Sequence, residues 1–173
     1  MENSKIIFVL LVLLFSCDKR EKEYLLIKSD LFKKSDTLFI KNTVPNMNNI
    51  RDSLTHFAFD GGFNGKVIFL KDFVDVKTFK KNNGYYSDKN YIYFYNQGPV
   101  YFPDLNIIPS QSKKLINYRG DYVSTDNKVF FQSKEIKNAD YKTFKVSIEG
   151  YRGYYFANDK NNYYYKDSII SKK

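Results

Sequence analysis

Few residues in this chain could do covalent or metal chemistry, and their numbers limit what that chemistry can be. There is one cysteine, Cys17, and one histidine, His56. A single Cys excludes an internal disulfide framework, and Cys17 with His56 cannot fill the four-ligand set of a zinc site. A nucleophile–histidine relay would rest on His56 alone. That residue follows Thr55 in a turn-like stretch, and we expect it to pack as a partly buried structural histidine. Carboxylates are plentiful: there are 19 Asp and Glu, all but Glu2 beyond residue 16. Glycoside hydrolysis needs two of them facing one bond, yet most of the Asp sit at turn or cap positions, where the side chain bonds nearby backbone. Asp88/Asn90 and Asp159/Asn161 have the alternation that begins a calcium loop, but the residues after them do not supply the further oxygens calcium requires. No catalytic residue, metal or cofactor is expected.

The remaining reactive group is the Cys17 thiol. An unbroken apolar run, Ile6 to Phe15, precedes it, with Lys5 in front. Ten helical residues rise about 15 Å, half of a bilayer's hydrocarbon core, so the run suits a signal peptide better than a membrane span. Leu14-Phe15-Ser16-Cys17 resembles the lipobox of bacterial lipoproteins. That resemblance implies removal of residues 1–16 and a Cys17 carrying acyl chains such as palmitate on its sulfur and amine. Several chains at roughly 0.8 kcal/mol per buried methylene hold a protein stably on a membrane. Residues 17–23, with the charged run Asp18-Lys19-Arg20-Glu21-Lys22-Glu23, then read as a solvated tether. The competing reading is an ordinary signal or anchor in which Cys17 is incidental.

Binding chemistry is better represented. Tyr and Phe number 16 each, and there is no Trp. Such aromatic content marks a packed domain and not a disordered tail. Tyr91, Tyr93, Tyr95, Tyr154, Tyr163 and Tyr165 could form exposed rows that stack on sugars or grip a protein. The alternative is that tyrosines such as Tyr91, Tyr93, Tyr122, Tyr155 and Tyr163 fill the core. The net charge of +9 is spread along the chain with acids interspersed, so no nucleic-acid partner is expected.

The elements that must position these residues repeat. Tyr118-Arg119-Gly120 to Asp126 aligns with Tyr151-Arg152-Gly153 to Asp159 at an offset of 33. After each Asp come polar residues and an aromatic cluster: Asp88-Lys89-Asn90-Tyr91-Ile92-Tyr93-Phe94-Tyr95, Asp126-Asn127-Lys128-Val129-Phe130-Phe131 and Asp159-Lys160-Asn161-Asn162-Tyr163-Tyr164-Tyr165. A weaker copy runs from Asn64 to Phe69. Each reads as strand, turn and returning strand, opened by Gly84, Gly120 or Gly153. In Tyr91–Tyr95 the period of two sets three Tyr on one face and Ile92 with Phe94 on the other, so both faces need cover. A second element, Asp75-Val76-Lys77-Thr78-Phe79 and Asp140-Tyr141-Lys142-Thr143-Phe144, reads as an Asp-capped helical turn that drops its Phe into the core. Asp52 to Phe57 is a looser copy, and Met47, Ile50 and Leu54 suggest a short helix within 46–57. The segment 99–118 reads as an insertion that displaces one capped turn. No unit can bury its own aromatic face, so neighbours must stack or share a sheet.

The order Asp-Lys-Asn-x-aromatic, with Lys134 to Phe144 as its second half, resembles the DKNYY repeat proteins of bacteria. The resemblance covers 84–170 well and 36–83 loosely. It implies export, often as a lipoprotein, and brings no known activity or binding residues. Where Asp126-Asn127-Lys128 departs from the motif order, a turn one residue shorter is expected. The expectation is therefore a mostly β single domain over residues 24–173, an irregular array of β-hairpin repeats with short capped helical turns. It would be lipid-anchored at a bacterial cell envelope, outer membrane favoured, facing the periplasm or the surface. It would act as a non-catalytic binding or interaction module, with an envelope protein or a glycan as its partner. The alternative is a glycan-binding accessory protein, and an envelope hydrolase is the third reading.

Overall fold

The computed structural model describes residues 24–41, 54–60, 65–96, 104–151 and 154–173. Cys17, the tether, Gly153 and most of the suggested helix at 46–57 lie outside the described residues. What is described is mostly β, as the repeats predict. The first sheet is an antiparallel meander of β1 (Leu25–Lys28), β2 (Leu31–Lys34), β3 (Thr37–Lys41) and β4 (Leu54–Thr55). The second contains β5 (Phe57–Asp60), β6 (Lys66–Phe69), β7 (Lys80–Lys81), β8 (Tyr86–Ser87), β9 (Tyr91–Tyr95) and β10 (Leu105–Pro109), in the order β6-β5-β10-β9-β8-β7. One helical turn, α1 (Leu70–Phe73), follows β6. The third sheet is the meander β11 (Ile116–Asn117), β12 (Tyr122–Thr125), β13 (Lys128–Phe131) and β14 (Lys134–Glu135). The fourth is β15 (Lys145–Tyr151), β16 (Tyr154–Asn158), β17 (Asn162–Tyr165) and β18 (Ser168–Lys172).

These sheets stack in chain order, because three cores lie between successive pairs. Leu31, Leu38 and Ile40 of the first sheet bury against Ile68, Tyr93, Leu105 and Ile107 of the second. The opposite face of the second sheet, Ile92, Phe94 and Ile108, meets Val123 and Phe130 of the third. Tyr122, Val129 and Phe131 on the far side of the third sheet meet Ala157 and Tyr164 of the fourth, with Phe144 between. The period-two alternation predicted for Tyr91–Tyr95 is therefore the division between two cores. Tyrosine suits this architecture because a buried ring carries its hydroxyl across to the neighbouring layer. The Tyr86 hydroxyl reaches Asp30 Oδ2 of the first sheet at 2.8 Å, and that of Tyr122 reaches the Tyr155 carbonyl of the fourth at 3.2 Å.

Two expectations change. The segment after Pro103 is more than an insertion: β10 pairs antiparallel with β9 from Leu105↔Tyr95 to Pro109↔Tyr91 and parallel with β5 at Asn106↔Phe59. It is the inner strand that joins the two halves of the second sheet. The loose copy of the capped turn at Asp52 to Phe57 is strand in its described part, since Thr55 pairs with Ile40 and Phe57 with Phe69.

Candidate functional site

The repeated aspartates build one device twice. Asp88 Oδ1 accepts the amides of Asn90 and Tyr91, at 2.8 and 2.9 Å. Its Oδ2 accepts the Tyr93 hydroxyl at 2.7 Å and the amide of Asp75 at 2.9 Å. Asp159 does the same with Asn161 and Asn162 at 2.7 and 2.8 Å, and with the Tyr164 hydroxyl and the Asp140 amide, both at 2.7 Å. The capped turns complete each lock. Asp75 Oδ1 accepts the Lys77 amide at 3.0 Å, as Asp140 Oδ1 does that of Lys142 at 3.0 Å. Thr78 and Thr143 accept the amides of Lys89 and Lys160, and those lysines return ion pairs of 2.7 and 2.8 Å to Asp75 and Asp140. Phe79 and Phe144 then pack against the rings of Tyr93 and Tyr164. Asp, Lys, Asn, the second aromatic after them and the Asp-x-x-Thr-Phe turn are thus parts of one unit.

Electrostatics follow from this geometry. Burial works to raise the Asp159 carboxyl, but the donors from Asp140, Tyr164, Asn161 and Asn162 outweigh it and hold it below the ordinary aspartate range. Burial pushes Tyr164 up to about 12, and the bond it donates to Asp159 adds to the rise. Burial likewise raises Tyr93, with Asp88 contributing.

Asp126 stands in a different unit. Thr125 pairs with Lys128, so two residues turn the chain, both with positive φ, where four separate Ser87 from Ile92 and Asn158 from Tyr163. The turn is two residues shorter, not one. Its carboxylate accepts the amides of Gln111 and Ser112 at 2.6 and 2.8 Å. That loop occupies the place a capped turn holds in the other two units. Burial opposes the charge on Asp126, but the Ser112 side chain and these amides hold its carboxyl at about 2.

Residues 100–168 match the DKNYY family. Over that stretch the chain is similar to the DKNYY family. Nothing matches among curated proteins or among solved structures. The family match takes in β10, the third sheet and most of the fourth, and so includes the Asp159 lock. The Asp88 lock lies outside the matched residues yet repeats its contacts bond for bond, which extends the DKNYY-type unit to the second sheet.

Of the six tyrosines expected as a binding surface, Tyr93 is a correction. It is 0% exposed, with its ring in the first core and its hydroxyl on Asp88. Tyr91 and Tyr95 are half-buried against the same core. Tyr154 lies on β16, with its side chain outside the described residues. Tyr163 is exposed and Tyr165 half-buried, and both point away from Tyr164 to the outer face of the fourth sheet.

That face holds an aromatic row. Phe156 pairs with Tyr165 across β16 and β17, their rings 5.2 Å apart and tilted by 40°. Asn158 pairs with Tyr163. The Lys173 ammonium sits 5.0 Å over the Tyr163 ring, and that of Lys166 lies 5.5 Å from the Tyr165 ring. Phe156 and Lys173 are not found by counting tyrosines. Phe156 becomes visible only when the four-residue turn at Asp159 sets the hairpin register that brings it opposite Tyr165. His56 packs among Phe39, Phe57 and Phe69, as a structural histidine would.

Proposed function

We propose that this chain is a lipid-anchored protein of the bacterial cell envelope that works as a non-catalytic binding module, with the outer face of the fourth sheet as its contact surface. The observation that carries the reading is the row Phe156, Tyr165 and Tyr163 on an end sheet with no further layer stacked on it among the described residues, flanked by Lys166 and Lys173. Inside the stack such rings are covered by the next layer, and an end layer of an array otherwise carries a polar outer face. Large rings with amphipathic tips are what protein interfaces use as anchors. The Asp residues support a non-catalytic role, since Asp75, Asp88, Asp126, Asp140 and Asp159 all have carboxylate oxygens occupied by backbone amides. The Leu14-Phe15-Ser16-Cys17 motif supports the anchor.

An envelope protein fits this face better than a glycan. Sugar stacking wants a flat ring platform, whereas Phe156 and Tyr165 are tilted against one another and lysines lie over the tyrosines. A photo-crosslinking residue in place of Tyr163, in the native host, tests the reading. A protease-sensitive adduct is expected from position 163 and none from the exposed Ile116 on the third sheet. Equal yields at both positions, or none at 163, would contradict it. An adduct removed only by glycan-cleaving enzymes would shift the reading to the glycan partner.

A further inference from the structure

Among the described residues the first sheet also leaves a large outer face uncovered, and it has a different neighbour. Leu26, Phe32 and Phe39 lie side by side in cross-strand register, through Leu26↔Phe32 and Phe32↔Phe39. Pairs in register share a face. Tyr24 joins them with its ring 5.1 Å from Phe39 and the Lys34 ammonium 4.7 Å above it. Tyr24 is 41% exposed, Leu26 55%, and Phe69, at the margin beside His56, 48%. Lys34, two residues after Phe32 on β2, shares the face of that ring. We infer that this face rests on the lipid bilayer that carries the Cys17 acyl chains, its rings and Leu26 at the headgroup boundary and Lys34 toward anionic phospholipids. Interfacial aromatics and snorkelling lysines suit that boundary, and lysines near anionic lipid add attraction.

The length of the tether decides why this end, and not the other aromatic end, meets lipid. Asp18 to Tyr24 are the residues between Cys17 and β1. Fully extended, they span at most about 25 Å. The first sheet therefore stays within that distance of the anchor. The fourth sheet lies three layers further on, about 30 Å at the usual spacing of packed sheets. The inference rests on the lipoprotein reading above.

The chain has no Trp, so Leu26→Trp, Tyr24→Trp and Tyr163→Trp each give a single reporter at an exposed position. The acylated full chain would be reconstituted into phosphatidylcholine–phosphatidylglycerol vesicles containing brominated acyl chains. Quenching of at least about twofold is expected at positions 24 and 26, and almost none at 163, because only residues at the boundary meet the bromines. Protein that floats with the vesicles but shows unquenched Trp at both 24 and 26 overturns the docking and leaves the anchor standing. Equal quenching at 26 and 163 overturns it too. Protein that neither floats nor takes fatty-acid label overturns the docking together with the reading beneath it. Unchanged thermal melting of each variant shows that the reporter has not altered the fold.

Discussion

Asp159 shows how much one side chain can hold in this chain. Its carboxylate is the acceptor for three backbone amides and a buried phenol, and the Asn162 amide and the Tyr164 hydroxyl are buried with it. Asp159→Ala should cost about 3 kcal/mol or more in urea unfolding, because bonds to a charged acceptor are worth roughly 1.5–3 kcal/mol and orphaned donors add a penalty. Tyr164→Phe removes one donor and keeps the ring, so about 1–2 kcal/mol is expected. Lys160 is on the solvent side, and Lys160→Met should change stability far less than either, since exposed ion pairs contribute little. Titration has a definite sign. Asp75, Asp126, Asp140 and Asp159 are all held below the ordinary aspartate value of 3.8. The unfolded chain therefore binds protons before the folded one does. Stability is complete above about pH 4 and falls toward pH 2, where Asp126 takes its proton in the folded state. Tyr164 acts in the other direction: its folded value of about 12 lies above the ordinary 10.0, so its contribution is present below pH 10 and is lost as pH rises through 12. Circular dichroism melts across pH should show both limbs, and a flat acid limb would contradict the locks.

At the scale of elements, two glycines separate local from tertiary constraint. Gly84 and Gly120 both have positive φ, at +80° and +67°. A Cβ on Gly84 meets nothing, so Gly84→Ala should cost only the backbone strain, about 1–2 kcal/mol. A Cβ on Gly120 would lie 2.3 Å from the Tyr155 ring of the next sheet. Gly120→Ala should therefore be clearly worse in the same melts, and equal effects would argue against the packing of the third sheet on the fourth. β9 offers a further check, because Phe94, 2% exposed, belongs to a different core from its neighbour Tyr93. Phe94→Ala should cost about 3–5 kcal/mol. Much of this element logic was legible in advance. Alternation along Tyr91–Tyr95 revealed two buried faces, and Asp before x-x-Thr-Phe revealed a cap, because both depend on neighbours in sequence. β10 was not legible, because Pro103 and Pro109 bound it and its partners Phe59 and Tyr93 are distant in sequence. Tyr93 was misplaced for a related reason: a period of two says which residues share a face, not which layer covers it.

The whole molecule is a stack with unlike ends. The central strands of each inner layer are buried on both faces, while the outer strands are exposed, so neither the second nor the third sheet can stand without its neighbours. Removing residues 145–173 would bare Tyr122, Phe131 and Phe144, and that truncation should aggregate under conditions in which the protein retaining them does not, as sedimentation would show. A folded, soluble truncation would contradict the shared core. The proposed roles fall on the two end faces, lipid at the first sheet and a partner at the fourth. All of it depends on where Cys17 is held. The most direct test is metabolic labelling with an alkyne fatty acid in the native host, comparing the wild type with Cys17→Ala. The account predicts a labelled, membrane-associated wild type and a mutant without label. A wild type that takes no label would contradict the anchor, and with it the assignment of the two ends.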